Sequence, residues 1–259
     1  MKPTTVRLCH TAQARIAAAI RVVSVFIIPA LSVLLPGGVA QAQSLMVIPV
    51  NVQIEPEQRA ATLTVINRGD SETSVQIRVY AWSQQTGDDQ LAASDAVMVS
   101  PPLATIAPGA SQVVRLILRQ PPLGREATYR ILLDQIPPPA APGVVRVVLR
   151  MSIPIFAQPT SRSVSRVQFH IERNAGQAYL VALNDGSRHD AIRDVVLWTS
   201  DGRKLSTNSN ASPYILADSS RRWLIAAQGS MPLPNESLRL TARADSGAIE
   251  RQVPVVAAQ

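Results

Sequence analysis

The stretch GVVRVVLRMSIPIF, residues Gly143 to Phe156, decides how the chain is read. In an extended conformation it sets Val145, Val147, Leu149, Met151 and Ile153 on one side and Arg146, Arg150 and Ser152 on the other. Alternation with period two predicts a β-strand with one buried face. Proline has no N–H to give to a ladder and is confined largely to edge strands, so Pro154 predicts that the end of this strand borders its sheet. An apolar edge with unpaired N–H and C=O groups recruits other chains. Either the rest of the protein hides this strand, or recruiting another chain is its task.

The flanking sequence repeats the same pattern. From Leu45 to Phe156 it offers the alternating runs LMVIPVNVQIE, ATLTVINR, SVQIRVYAW, QVVRLILR and ATYRILLDQI, separated by NRGDSE, QTGDDQ, IAPGAS and IPPPAAPG. A second set follows in SVSRVQFHIE, QAYLVALN, RDVVLWTS, RRWLIAA, SLRLTARA and RQVPVV. Short strands punctuated by Gly, Pro, Asn and Asp predict an all-β protein, and no run after residue 43 sustains the 3.6-residue period of a helix. Two β-sandwich domains of immunoglobulin-like type fit the length, each large enough to bury a core. The polar break AQPTSRS places the boundary near Gln158, giving domains at 43–157 and 158–259. The two sets resemble each other too weakly to count as a sequence repeat.

Residues 1–42 are expected to form a signal peptide. Lys2, Arg7, Arg15 and Arg21 occur there without an acid, the apolar run VVSVFIIPALSVLLP follows, and small residues end in AQA at Ala40 to Ala42. The run is about 15 residues, short of the roughly 20 that span a bilayer, so a retained anchor is the weaker alternative. Cleavage after Ala42 removes Cys9, the only cysteine, and with it any disulfide or thiol chemistry. It also lowers the formal charge from +7 to +3, since four cations leave with the leader. The remaining arginines are scattered among the strands, without the basic patch and stacking aromatics of a nucleic-acid site. After cleavage no membrane insertion is expected.

Catalytic constellations are lacking. His170 falls inside the predicted strand VQFHIE, where a structural role is expected, and His189 and Asp190 fall in the turn-like NDGSRHD. Two polar neighbours do not make a metal site, which needs three or four converging ligands. There is no nucleophile elbow, no phosphate-cradling Gly-rich loop and no H-E-x-x-H helix. No enzyme activity, metal or cofactor, ATP included, is therefore expected.

Several stretches together carry a family resemblance: LTVINRGD at Leu63 to Asp70, VSPPLATIAPGASQVVRL at Val99 to Leu116, YRILLDQIPP at Tyr129 to Pro138 and SIPIF at Ser152 to Phe156. They resemble the signature stretches of periplasmic pilus chaperones, the PapD-like family. VALNDGSRHD, SPYILADSSRRW and ARADSG resemble the same family's carboxyl-terminal domain. The short PPPAAPG segment and the lack of a cysteine pair are similar to the short-loop members, and LMVIPVNVQIEP with SIPIF is similar to the archaic or alternative chaperone–usher group.

This resemblance implies an occupant for the apolar side of Gly143–Phe156. In such chaperones the strand is lent to a pilus subunit whose immunoglobulin-like fold lacks its last strand. Val145, Val147, Leu149 and Met151, with Ile153 next, are the implied donor side chains. Burying four of them offers roughly 6–12 kcal/mol, at about 1.5–3 each, before the costs of association. The resemblance also implies a cationic anchor for the subunit's carboxyl terminus in the cleft between domains. Asn51 and Pro154 stand at its places, and neither supplies a positive charge, which leaves Arg150 as a nearby candidate. It implies, too, an ion-pair cluster joining the domains. Glu126 and Asp245 match its acids, but Gln158 stands where an arginine is expected, so Arg125 or Arg130 is left to compensate and weaker domain coupling is expected.

The function so implied is a periplasmic chaperone that folds pilus or fimbrial subunits by donor-strand complementation and passes them to an outer-membrane usher. Self-association of the free protein is expected from its apolar edge. The alternative is an exported structural or adhesive protein of two immunoglobulin-like domains, for which QSLMVIPVNVQIE would be a donor extension.

Overall fold

A computed structural model describes residues 45–257, apart from 86, 140–142, 144, 146, 175, 209–211 and 227–232. The expected signal peptide, with Cys9, lies outside the described residues. Every regular element among the described residues is a strand.

The first ten strands are β1 (Leu45–Ile48), β2 (Val52–Ile54), β3 (Ala60–Asn67), β4 (Thr73–Gln85), β5 (Asp88–Ala93), β6 (Val97–Ser100), β7 (Leu103–Ile106), β8 (Ser111–Leu118), β9 (Ala127–Ile136) and β10 (Arg150–Ala157). They form two sheets, one in the order β1-β3-β8-β6 and the other β2-β10-β9-β4-β5, with β7 also paired to β4. The run LMVIPVNVQIE is thus two strands in different sheets. Proline at position 49 interrupts it, and the chain passes there from β1, beside β3, to β2, beside β10 in the other sheet.

Alternation places one apolar layer between these sheets. Leu63 and Val65 of β3, Val114 and Leu116 of β8, Val75 and Ile77 of β4, Ile131 and Leu133 of β9, and Ile153 and Ile155 of β10 all face inward and are buried. Each such residue contributes about 1.5–3 kcal/mol relative to exposure.

Eight more strands follow: β11 (Val167–Asn174), β12 (Gln177–Asn184), β13 (Asp190–Trp198), β14 (Lys204–Thr207), β15 (Tyr214–Ile215), β16 (Ser219–Ala226), β17 (Ser237–Ala244) and β18 (Gly247–Ala257). Their order is β14-β16-β12-β11-β18-β17-β13-β15, and a β13–β14 pairing closes the hydrogen-bonded path around a second core that includes Ile171, Leu180, Leu197, Leu240 and Val253.

The two halves share devices that single residues do not advertise. In each, an early strand pairs in parallel with the last, β2 with β10 and β11 with β18. In each, a buried asparagine ties a turn. Asn67 donates to the carbonyls of Ser71 (2.7 Å) and Ile106 (2.9 Å) and accepts from the Gly69 N–H. Asn184 donates to the carbonyls of Arg188 and Leu216 and accepts from the Gly186 N–H (3.0 Å).

Candidate functional site

The Gly143–Phe156 stretch is not strand throughout. β10 begins at Arg150, and the apolar side expected to be continuous divides in two. Ile153 is buried in the first core and Met151 packs against it, whereas Val145 and Val147 are each 93% exposed. Leu149, 38% exposed, is the hinge between these fates: its carbonyl accepts from the Gln135 N–H (2.9 Å) and its N–H donates to Gln135 Oε1 (3.3 Å). The sequence pattern could not separate residues serving the protein's own core from those with nothing over them.

β10 pairs antiparallel with β9 from Arg150 to Ala157, but with β2 only from Ile155 to Ala157. The backbone of Arg150–Pro154 is therefore open on one side, where Pro154 has no N–H to present. From Ile153 onward every residue is buried, because the second sandwich covers the outer face and the first core takes the inner one.

Asn51 and Pro154 come together, each one residue before the Val52–Ile155 register pair. Asn51 Oδ1 accepts from Gln53 Nε2 (3.0 Å). Arg150 is spent elsewhere: with Arg78 (2.6 Å) it grips Asp134, and those hydrogen bonds, Arg150's foremost, hold the Asp134 carboxyl below the usual carboxylate range. The cation in this row is Arg130, the register partner of Pro154. Its guanidinium lies 3.6 Å over the Trp82 ring and donates to Ser212 Oγ (3.3 Å), with no carboxylate in ion-pair contact among the described residues. Burial lowers its pKa, with Asp89 and Tyr214 opposing.

The expected acidic cluster is distributed differently. Asp245 pairs with Arg193 (2.6 Å) inside the second sandwich, while Glu126, just before β9, accepts from His189 Nδ1 at 2.7 and 2.9 Å and from the His189 N–H at 3.3 Å. Neither Arg125 nor Arg130 compensates: Arg125 reaches Asp218 (3.2 Å) at the surface. The missing arginine is answered by a histidine that sequence reasoning assigned to a turn. His189 is buried and its neighbour Asp190 opens β13, where its carboxylate accepts from Ser165 Oγ, Ser246 Oγ and two backbone N–H groups. His170 is half-buried on β11 beside Glu172 (2.9 Å). Among the described residues no group of three or more His, Cys, Asp or Glu is placed to hold a metal.

Apolar and aromatic groups fill the rest of the seam. Trp82 and Phe156 from the first sandwich pack on Leu216 and Tyr214 from the second. The Phe156 and His189 rings stack at 3.5 Å with an 8° interplanar angle, and Trp82 meets Tyr214 edge-on at 5.7 Å. Gln84 donates to the Tyr214 carbonyl (2.8 Å) and accepts from the Leu216 N–H (3.0 Å), and Arg221 pairs with Asp89 (2.9 Å).

Comparison with known proteins places this geometry. No curated protein sequence matches. The solved structures share the architecture at low identity. A chain of the chaperone–tip adhesion subunit pre-assembly complex CsuC–CsuE, from archaic chaperone–usher Csu pili of Acinetobacter baumannii, is 21% identical, with a TM-score of 0.61, covering 83% of this chain and 100% of that one. The chaperone DraB of E. coli is 22% identical, with a TM-score of 0.52 over 82% and 95%. In the complex of the Salmonella enterica SafA pilin with the SafB chaperone, the matched chain is 14% identical, with a TM-score of 0.56 over 83% and 97%. Residues 44–163 match the family described as pili and flagellar-assembly chaperone, PapD N-terminal domain. Those residues are thus similar to a PapD N-terminal domain, and the described residues together have the PapD-like fold of two immunoglobulin-like sandwiches.

Proposed function

We propose that the chain is a periplasmic, non-enzymatic chaperone that captures pilus or fimbrial subunits by donor-strand complementation and delivers them to an outer-membrane usher. The observation that carries the reading is the exposure of Val145 and Val147 on the segment leading into β10, whose Arg150–Pro154 edge is open. An extended partner strand can take that edge while apolar side chains fill the partner's groove. Met151 and Ile153 act as the root of the donor strand instead of its tip, since they serve the first core. The domains are read as 43–157 and 158–259, each around its own core, and the archaic chaperone–usher group is the one we favour.

In this reading the carboxylate anchor falls in the row Asn51–Pro154–Arg130. Arg130 supplies the positive charge that Asn51 and Pro154 lack, while Arg150 is already paired with Asp134. The alternative, an exported structural protein with its own donor extension, is disfavoured by β1 and β2: both are integral strands of the first sandwich, so that segment is not free to be donated.

The test is co-purification of a co-expressed pilus subunit with the wild type and with the Val147→Asp, Leu149→Asp double variant. Retention by the wild type and loss from a still-folded double variant is expected. Equal retention by both overturns the reading.

A further inference from the structure

We infer that His189 is the residue that positions the second sandwich against the root of the donor strand, through its pairing with Glu126. The link to subunit capture rests on the function proposed above; the positioning itself does not.

Both side chains of the pair are out of solvent, Glu126 at 0% and His189 at 4% exposed. A carboxylate only accepts hydrogen bonds, so the 2.7 Å contact assigns the proton to His189 Nδ1. Arg125, Asp190 and Asp245 are engaged elsewhere. Arg125 meets Asp218, Asp190 is held by two hydroxyls and two backbone N–H groups, and Asp245 meets Arg193. Arg130 lies over Trp82 and donates to Ser212. Among the described residues, His189 alone hydrogen-bonds the Glu126 side chain.

That dependence runs across the seam. Glu126 leads into β9 and its own N–H donates to the Ser187 carbonyl (2.9 Å), two residues before His189. The imidazole is thus held at one nitrogen by the approach to β9 and on one face by Phe156 of β10. β9 and β10 are neighbours, and β10 continues from the exposed donor segment. Removing the imidazole leaves the buried carboxylate only the His189 backbone N–H at 3.3 Å, a strongly unfavourable state that hydration relieves only by opening the seam. The apolar contacts of Trp82, Phe156 and Leu216 are non-directional and tolerate sliding, whereas a hydrogen-bonded pair fixes the angle.

The test reads the distance between spin labels at Thr62→Cys on β3 and Ala248→Cys on β18, both exposed positions, in the full chain carrying Cys9→Ser. The parent is expected to give one narrow distribution. His189→Ala broadens it, and His189→Asn, whose side-chain amide can donate to Glu126 without a ring to stack, restores it. Glu126→Leu removes the pair without stranding a charge, so it folds even where His189→Ala does not, and it also broadens the distribution. Subunit capture then falls roughly tenfold in the broadened variants, an equivalent of about 1.4 kcal/mol. A narrow distribution in His189→Ala or Glu126→Leu overturns the inference, as does His189→Asn being as broad as His189→Ala. Because the distances are read on the chain alone, failure of the donor-strand reading shows separately, as capture unaffected by Val147→Asp with Leu149→Asp.

Discussion

Val147→Asp separates a donated strand from an ordinary exposed loop. Val147 is 93% exposed, so in the free protein the substitution changes stability by no more than about 0.5 kcal/mol. In a donor-strand complex it forfeits the burial of a valine, about 1.5 kcal/mol at the low end of the range for large apolar side chains. It also forces a carboxylate toward an apolar groove, with an effective penalty of several kcal/mol. A combined cost of about 4 kcal/mol corresponds to roughly a thousandfold in Kd. The assay is competition between differently tagged wild-type and variant chains for one co-expressed pilus subunit, read as the ratio of the two complexes, with thermal unfolding of each free chain alongside. Val148→Asp is the internal control. Val148 is also exposed, at 51%, but by period two it points the other way, so its complex is expected near parity with the wild type. An equal ratio for Val147→Asp, or an equally large loss for Val148→Asp, refutes the alternating-strand argument.

Arg130→Met is expected to weaken subunit retention while leaving unfolding stability unchanged or raised, because a buried cation without a carboxylate costs desolvation; urea titration checks the second half. Gly186→Ala is expected to destabilise strongly, since a Cβ there would lie 2.3 Å from the Val164 carbonyl oxygen and 2.7 Å from the Arg166 nitrogen, both backbone atoms that cannot swing aside; thermal unfolding reads it. The grip of Arg150 and Arg78 on Asp134 lowers that carboxyl's pKa, so its contribution is present above the ordinary carboxylate range and is lost as pH falls through its lowered value. Asp134→Asn should therefore lower stability near neutrality and change little at low pH, which flattens the acid limb of the stability–pH curve.

The fold was legible because alternation is a local property. Leu63, Val65, Val114 and Leu116 announce a one-sided strand whatever lies opposite, and the turn residues between such runs separate the strands. The donor stretch was legible in composition but not in extent. Whether Met151 faces its own core or another protein depends on where β2 stops pairing, a contact across about a hundred residues of sequence. The seam was the least legible. Glu126 stood out, yet its partner is a histidine 63 positions away, and nothing in NDGSRHD shows that His189 is stacked on Phe156. Arg130 and Pro154 likewise become neighbours only through the β9–β10 register. The paired asparagines at 67 and 184 are marked in the sequence by the shared N-x-G spacing of NRGD and NDGS, although the halves differ elsewhere.

The three-residue contact of β2 with β10 has a geometric result of its own. A strand laid along the free edge of β10 can run only until it meets β2 at Ile155, so the edge has a wall at one end. Arg150–Pro154 spans about 17 Å at roughly 3.3 Å per residue, and the wall fixes where an incoming strand must end. Because a slip of one residue turns every side chain to the opposite face, that end point selects which residues of the visitor look inward. In this chain β2 serves as the zero of a ruler, and the valines at 145 and 147 are its far graduations.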